Sequence, residues 1–150
     1  MNVSEIMTKA VITVSPEMDV RRFAELLVEK NISGVPVVDG DGKLLGVALE
    51  EGLIVQDKKV HVPTFFFFLS GFFTIGEAQF EDELQKLSAT TVAGIMVKNI
   101  PVLSPQTPVT EAATMIVEKN LHFFPVVDKN KVVGVVTKKD IVRAIARGAH

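Results

Sequence analysis

The amino-acid sequence predicts an α/β (α+β) fold made of two copies of one β-α-β-β-α unit, on three observations. The chain repeats itself: Val3 to Ile54 and Val92 to Val142 carry Met, Ser-Pro, Glu-Lys-Asn and Pro-Val-Val-Asp in the same order. Up to Asp39 and Asp128 the spacing is constant (128 − 39 = 89), and about fifteen of thirty-seven aligned pairs are identical. Such self-similarity is the mark of a duplicated supersecondary unit. Within each copy, a stretch of helical periodicity precedes two short β-rich runs that flank a turn.

Taken in order, Ala10 to Val14 and Ile100 to Leu103 supply a short strand before each long helix. Val20, Phe23, Ala24, Leu27 and Val28 then fall on one helical face, opposite Arg21, Arg22, Glu25, Glu29 and Lys30. Val109, Ala112, Ala113, Ile116 and Val117 repeat the apolar spacing, so both copies bury the same face. Thr107 is expected as the N-cap of the second helix, with Pro108 at its first position, where a missing N–H costs nothing. Asn31 and Asn120 end the helices, since Asn tolerates left-handed backbone. Val35 to Val38 and Phe124 to Val127 read as strands, followed by turns at Asp39 to Gly42 and Asp128 to Lys131 and by return strands LLGVAL and VVGVVT. Ile54 and Val142 sit in short closing helices. The Asp39-Gly40-Asp41-Gly42 turn is no calcium loop, because Lys43 stands at the next ligand position.

Composition narrows the function. With 150 residues, 47% of them apolar, the chain can bury one compact core that two lobes must share. A net charge of −2 offers no broad basic field for nucleic acid, and zero cysteines exclude disulfides and thiolate sites. MNVSEIMTK lacks the pattern of a secretion signal, so cytoplasmic residence is expected. His61, His122 and His150 have no metal-ligand spacing, and neither a Ser-His-Asp order nor a glycine-rich phosphate loop stands out. No metal, no cofactor and no enzyme activity are expected.

The ordered pattern I-M-T-K, S-P, V-E-K-N, P-V-V-D and G-V-V-T-K-K-D resembles the cystathionine-β-synthase (CBS) domain, and two copies in one chain resemble a CBS pair, or Bateman module. The resemblance covers nearly everything except residues 57–91, which gives repeat 1 over 1–56, an insertion over 57–91 and repeat 2 over 92–150. It implies two repeats packed about a pseudo-twofold axis, with clefts that in many members hold adenosine-containing ligands, and a regulatory rather than catalytic role. The family's Gly-h-h-Thr/Ser-x-x-Asp stretch is intact in Gly134 to Asp140. The resemblance assigns ribose to Asp140 and phosphate to Thr137, with Val135 just before them, at a strand-to-helix junction where N–H groups favour an anion. Read as residues alone, Thr137 and Asp140 equally form an N-cap and its first-turn acid.

The first repeat has Leu49 and Gly52 at the matching places and adds Glu50 and Glu51, which repel phosphate, so one site per chain is expected. In the family the clamp of one repeat faces a base pocket of the other. That role falls to Ala10, Val11 and Ile12 with Ile32, Ser33, Gly34 and Pro36, which read alone are also ordinary core residues. His122, Lys138 and Lys139 are the candidate phosphate contacts, and Arg143 clusters at the same end.

Six of ten phenylalanines lie between Phe65 and Phe73. A membrane span needs roughly 20 apolar residues, and this run is too short, so no transmembrane span is expected. It is expected to be buried in the monomer, in a self-association interface, or at a membrane surface. Glu77 to Leu87 reads as an acidic amphipathic helix beside it, and a homodimer follows. The functional expectation is a regulatory protein that senses AMP, ADP, ATP or S-adenosylmethionine between its repeats and signals to a regulated protein. The alternative is a structural protein-protein interaction module with empty clefts that docks or dimerises through the Phe-rich segment.

Overall fold

The computed structural model describes residues 1–55 and 91–148. The Phe-rich run and the Glu77 to Leu87 helix lie outside them. The first repeat supplies α1 (Val20–Lys30), β1 (Gly34–Val38), β2 (Leu44–Leu49) and α2 (Glu50–Val55). The second supplies α3 (Val109–Lys119), β3 (Phe123–Asp128), β4 (Lys131–Thr137) and α4 (Lys138–Ala146). Each pair of strands forms an antiparallel hairpin, with Gly34 opposite Leu49 and Phe123 opposite Thr137.

The strand expected before each long helix shrinks to a single parallel bridge, Val14 to Val37 and Leu103 to Val126. Val14 N–H donates to the Pro36 carbonyl at 3.1 Å and its own carbonyl accepts from Val38 N–H at 3.0 Å; Leu103 does the same with Pro125 and Val127. The parallel ladder stops there because the next donor in each direction would be a proline: Pro36 and Pro16 in one repeat, Pro125 and Pro105 in the other.

The helix ends obey local chemistry. The Asp19 carboxylate caps α1 by accepting from Arg21 N–H at 2.7 Å, and Asn31 and Asn120 close α1 and α3 in left-handed backbone (φ 52° and 51°). Thr107 is not the cap of α3: Pro108 takes that position, while the Thr107 hydroxyl accepts from Ser104 N–H at 3.0 Å within its own turn. The buried stripe is also narrower than expected. Val28 and Val117, equivalent in the repeat, are 64% and 82% exposed, and Leu26 and Met115 turn inward instead. The Asp39 carboxylate accepts from Asp41 and Lys43 N–H at 2.9 Å each, which makes the first turn a hairpin connection.

Each repeat completes the other's core. The segment before α1 begins with a 3-10 turn, Val3–Glu5, whose Val3 is fully buried with Leu103, Ala112, Phe124 and Ile141 of the second repeat. The matching turn Val92–Gly94 inserts Val92 and Ile95 among Phe23, Leu27 and Leu53 of the first. Backbone bonds sew the exchange: Val3 N–H to the Thr107 carbonyl and Val92 N–H to the Met18 carbonyl, both 2.8 Å. Further along, Thr8 pairs with Val135 and Val97 with Val47. Gly134 and Gly46 admit this close crossing. A Cβ at Gly134 would lie 2.6 Å from Met7 Sδ, and one at Gly46 would lie 2.9 Å from the Val97 carbonyl oxygen.

Candidate functional site

Strand β4 delivers Thr137 to the start of α4, where its extended backbone makes it the N-cap. Asp140, three residues on, returns to accept from Thr137 N–H at 2.8 Å and from the Thr137 hydroxyl at 3.2 Å, forming a capping box. Two further donors reach it, the Thr8 hydroxyl at 3.4 Å and Arg143 Nη1 at 3.3 Å. Asp140 is 5% exposed and is the buried charged residue of the described core. A carboxylate offers about four acceptor positions, and these four donors, one at 2.8 Å and three at 3.2 to 3.4 Å, match them.

This junction borders a cleft of about 600 Å³ between the repeats. The cleft gathers all of the residues singled out above. Ala10, Val11, Ile12, Ile32, Ser33, Gly34 and Pro36 line it from the first repeat. His122, Val135, Thr137, Lys138, Lys139 and Asp140 line it from the second, with Arg143 behind Asp140. The two walls are built alike: Glu50 N–H donates to the Ser33 carbonyl at 2.9 Å, and Lys138 N–H to the His122 carbonyl at 3.2 Å. Each bond ties the start of a closing helix to the turn that follows a long helix.

Thr8, Asn31, Glu50 and Phe123 also line the cleft and were not singled out as site residues from the sequence. Thr8 stands in the I-M-T-K motif, and that was its available signal; its reach to Asp140 depends on the exchanged N-terminal segment. Glu50 corrects an expectation. Expected with Glu51 at the other cleft, it also lines the space that holds Thr137 and Asp140, because α2 starts beside Ser33. Burial pushes its carboxyl above the usual carboxylate range, and the neighbouring Glu51 adds to the push.

Apart from Glu50, Thr8 and Asn31, the first-repeat wall is apolar and rich in backbone groups, and the second brings Lys138 and Lys139 beside Asp140. Among the described residues neither Lys138 nor Lys139 has an ion-pair partner, and both sit in the first turn of α4, where the helix dipole also favours an anion. No group of three or more His, Cys, Asp or Glu residues that could hold a metal occurs among the described residues, and no helix there is long and apolar enough to cross a membrane.

Three kinds of similarity agree with this architecture. Residues 3–55 and 92–147 match the family model of the CBS domain. The CBS domain-containing protein DDB_G0289609 of Dictyostelium discoideum is 30% identical over 141 residues, spanning 93% of this chain and 88% of that one. The crystal structure of CBSX2 from Arabidopsis thaliana in complex with AMP superposes with a TM-score of 0.73 at 28% identity, covering 97% of each chain. The CBS domain pair of protein MJ0100, solved with 5′-methylthioadenosine and S-adenosyl-L-methionine, does so with a TM-score of 0.71 at 25% identity, covering 99% of this chain and 98% of that one. The chain belongs to the CBS-domain family and is a tandem CBS pair.

Proposed function

We propose that the cleft holds one adenosine-containing ligand, an adenine nucleotide or a relative such as S-adenosylmethionine, and that the protein is a regulatory sensor of it. The observation that carries this reading is the Thr137–Asp140 pair facing, across one cleft, an apolar wall from the other repeat. Asp140 accepts the ribose hydroxyls, displacing its long contacts to Thr8 and Arg143. Arg143 is then released toward the same anion that meets Lys138, Lys139, His122 and the first turn of α4. The base lies against Val11, Ile12, Ile32 and Pro36, with Ser33 and Gly34 offering backbone groups to its edge. The likeness to a CBS pair with AMP and to another with methylthioadenosine and S-adenosylmethionine supports this ligand class.

Occupancy acts on the angle between the repeats, because the ligand touches both walls and binds best when they are correctly spaced. The sensor works as a homodimer and passes its state to a regulated protein; light scattering that gives a monomer at micromolar concentration counts against the dimer. With neither Trp nor Tyr in the chain, a co-purified adenine ring dominates the ultraviolet spectrum. Mass spectrometry of the denatured supernatant should identify an adenosine compound, and titration with AMP, ATP and S-adenosylmethionine should raise the melting temperature. Asp140→Ala should weaken binding by about 10- to 100-fold, the loss of one or two hydrogen bonds to a charged acceptor. An empty supernatant together with no thermal shift from any of the three compounds rejects the reading.

A further inference from the structure

The two repeats correspond residue by residue with an offset of 89 before the hairpin turn (123 − 34) and 88 after it (137 − 49), fixed by the equivalent pairs Gly34 with Leu49 and Phe123 with Thr137. Applying this correspondence to the open cleft gives the composition of its pseudo-equivalent. Val11, Ile32, Gly34, Val135 and Thr137 become Ile100, Leu121, Phe123, Val47 and Leu49. The latter five pack on one another, together with Val135, as a separate hydrophobic cluster between the repeats.

The exchange of Gly34 for Phe123 is the largest difference in volume. Phe123 is 5% exposed, and its ring edge lies 3.5 Å from where a Gly34 Cβ would stand. Val47 is fully buried beside it and Ile100 is 8% exposed. Two polar groups of the open cleft have apolar counterparts as well: Asp140 has Gly52 and Thr8 has Val97. A ribose placed among these side chains would find no counterpart of the Asp140 carboxylate and would have to displace a packed aromatic ring.

We infer that this seam is a closed apolar plug that removes the second ligand position of the pair, and that Phe123, standing where the open cleft has Gly34, is the residue that fills it. The plug and the open cleft share Phe123 and Val135, so the same residues that exclude one ligand form part of the boundary of the other. The ligand count rests on the nucleotide reading above, whereas the plug itself does not.

Two measurements separate these claims. Methyl NMR with benzene as probe reads the plug directly, since a dry apolar cavity accepts it. In the wild-type chain the methyl signals of Val47, Leu49, Ile100 and Leu121 should not move. In Phe123→Ala they should shift together, with Phe123→Leu, which keeps most of the volume, showing a smaller effect. Shifts in the wild type, or none in Phe123→Ala, overturn the plug. Calorimetric titration with AMP then counts sites. Leu49→Thr with Gly52→Asp restores the clamp chemistry and should leave one site per chain; adding Phe123→Gly should raise it to two. Two sites in the clamp-restored double variant overturn the role of Phe123. If the wild type binds none of AMP, ATP and S-adenosylmethionine, the nucleotide reading fails while the benzene result still decides the plug.

Discussion

The junction Thr137-Lys138-Lys139-Asp140 and its counterpart Leu49-Glu50-Glu51-Gly52 descend from the same unit, start a helix at the same place and cross the same kind of partner segment. In one, a buried carboxylate is held by its own N-cap and by a threonine from the exchanged segment, beside Lys138 and Lys139. In the other, the threonine is a leucine packed in an apolar seam, the aspartate is a glycine, and the charges are reversed. The contrast teaches that a duplicated scaffold maintains its backbone through the seam and the exchanged cores, leaving one cleft free to carry polar chemistry that contributes little to stability.

That division can be broken from either side. Leu49→Ala, in the plug, should cost about 2 kcal/mol of stability with little change in ligand affinity. Thr137→Ala, at the equivalent position in the open cleft, should do the reverse, losing about tenfold in affinity while costing about 1 kcal/mol as a lost cap. Denaturant unfolding and titration on both variants give the comparison, and a Leu49→Ala chain as stable as the wild type would remove the structural role assigned to the seam.

The crossing glycines sharpen the contrast at a smaller scale. Gly46→Ala puts a Cβ 2.9 Å from a backbone oxygen that accepts the Val47 N–H bond, whereas Gly134→Ala meets first a methionine sulfur on a flexible side chain. Gly46→Ala should therefore cost about 2 kcal/mol and Gly134→Ala about half as much, as for other overpacked sites. Equal melting temperatures for the two variants would show that Val97 yields as readily as Met7.

The smallest effect concerns Glu50, the carboxylate on the wrong side of a cationic cleft. Its folded form holds a proton more tightly than the unfolded chain does, because burial and Glu51 disfavour the charge. The folded state therefore gains from this group at acid pH and loses that gain as pH rises through and above the ordinary carboxylate range. Glu50→Gln should melt slightly higher than the wild type at neutral pH, with the difference closing in acid, and should bind an anionic ligand more tightly at pH 7. Parallel melting curves across pH 3 to 8 would show that the carboxyl is free of this penalty.

Much of this was legible in the chain. Repeat spacing, the amphipathic helices, the asparagine caps and the hairpin turns are local, and each follows from side-chain chemistry within a few residues. The Thr137–Asp140 pair was visible for the same reason, and so was the loss of its counterpart at Leu49 and Gly52. The proline spacing that cuts the first strand to one bridge was also present in the sequence, and reading it required only the parallel hydrogen-bond pattern. Val28 and Val117 were misassigned because helical periodicity identifies a stripe but leaves its edges to the elements that cover it.

The duplicated unit, its helices and hairpins, and the Thr137–Asp140 capping pair follow from the sequence alone, since these depend on contacts between near neighbours along the chain. Tertiary packing alone sets Val3 and Val92 in each other's repeats, brings Thr8 to Asp140, turns Glu50 to the open cleft and gathers Phe123, Ile100 and Leu49 in one apolar seam. These join residues up to 132 positions apart. Such partners are chosen by how two lobes, each too small to bury its own apolar face, pack together to form shared cores.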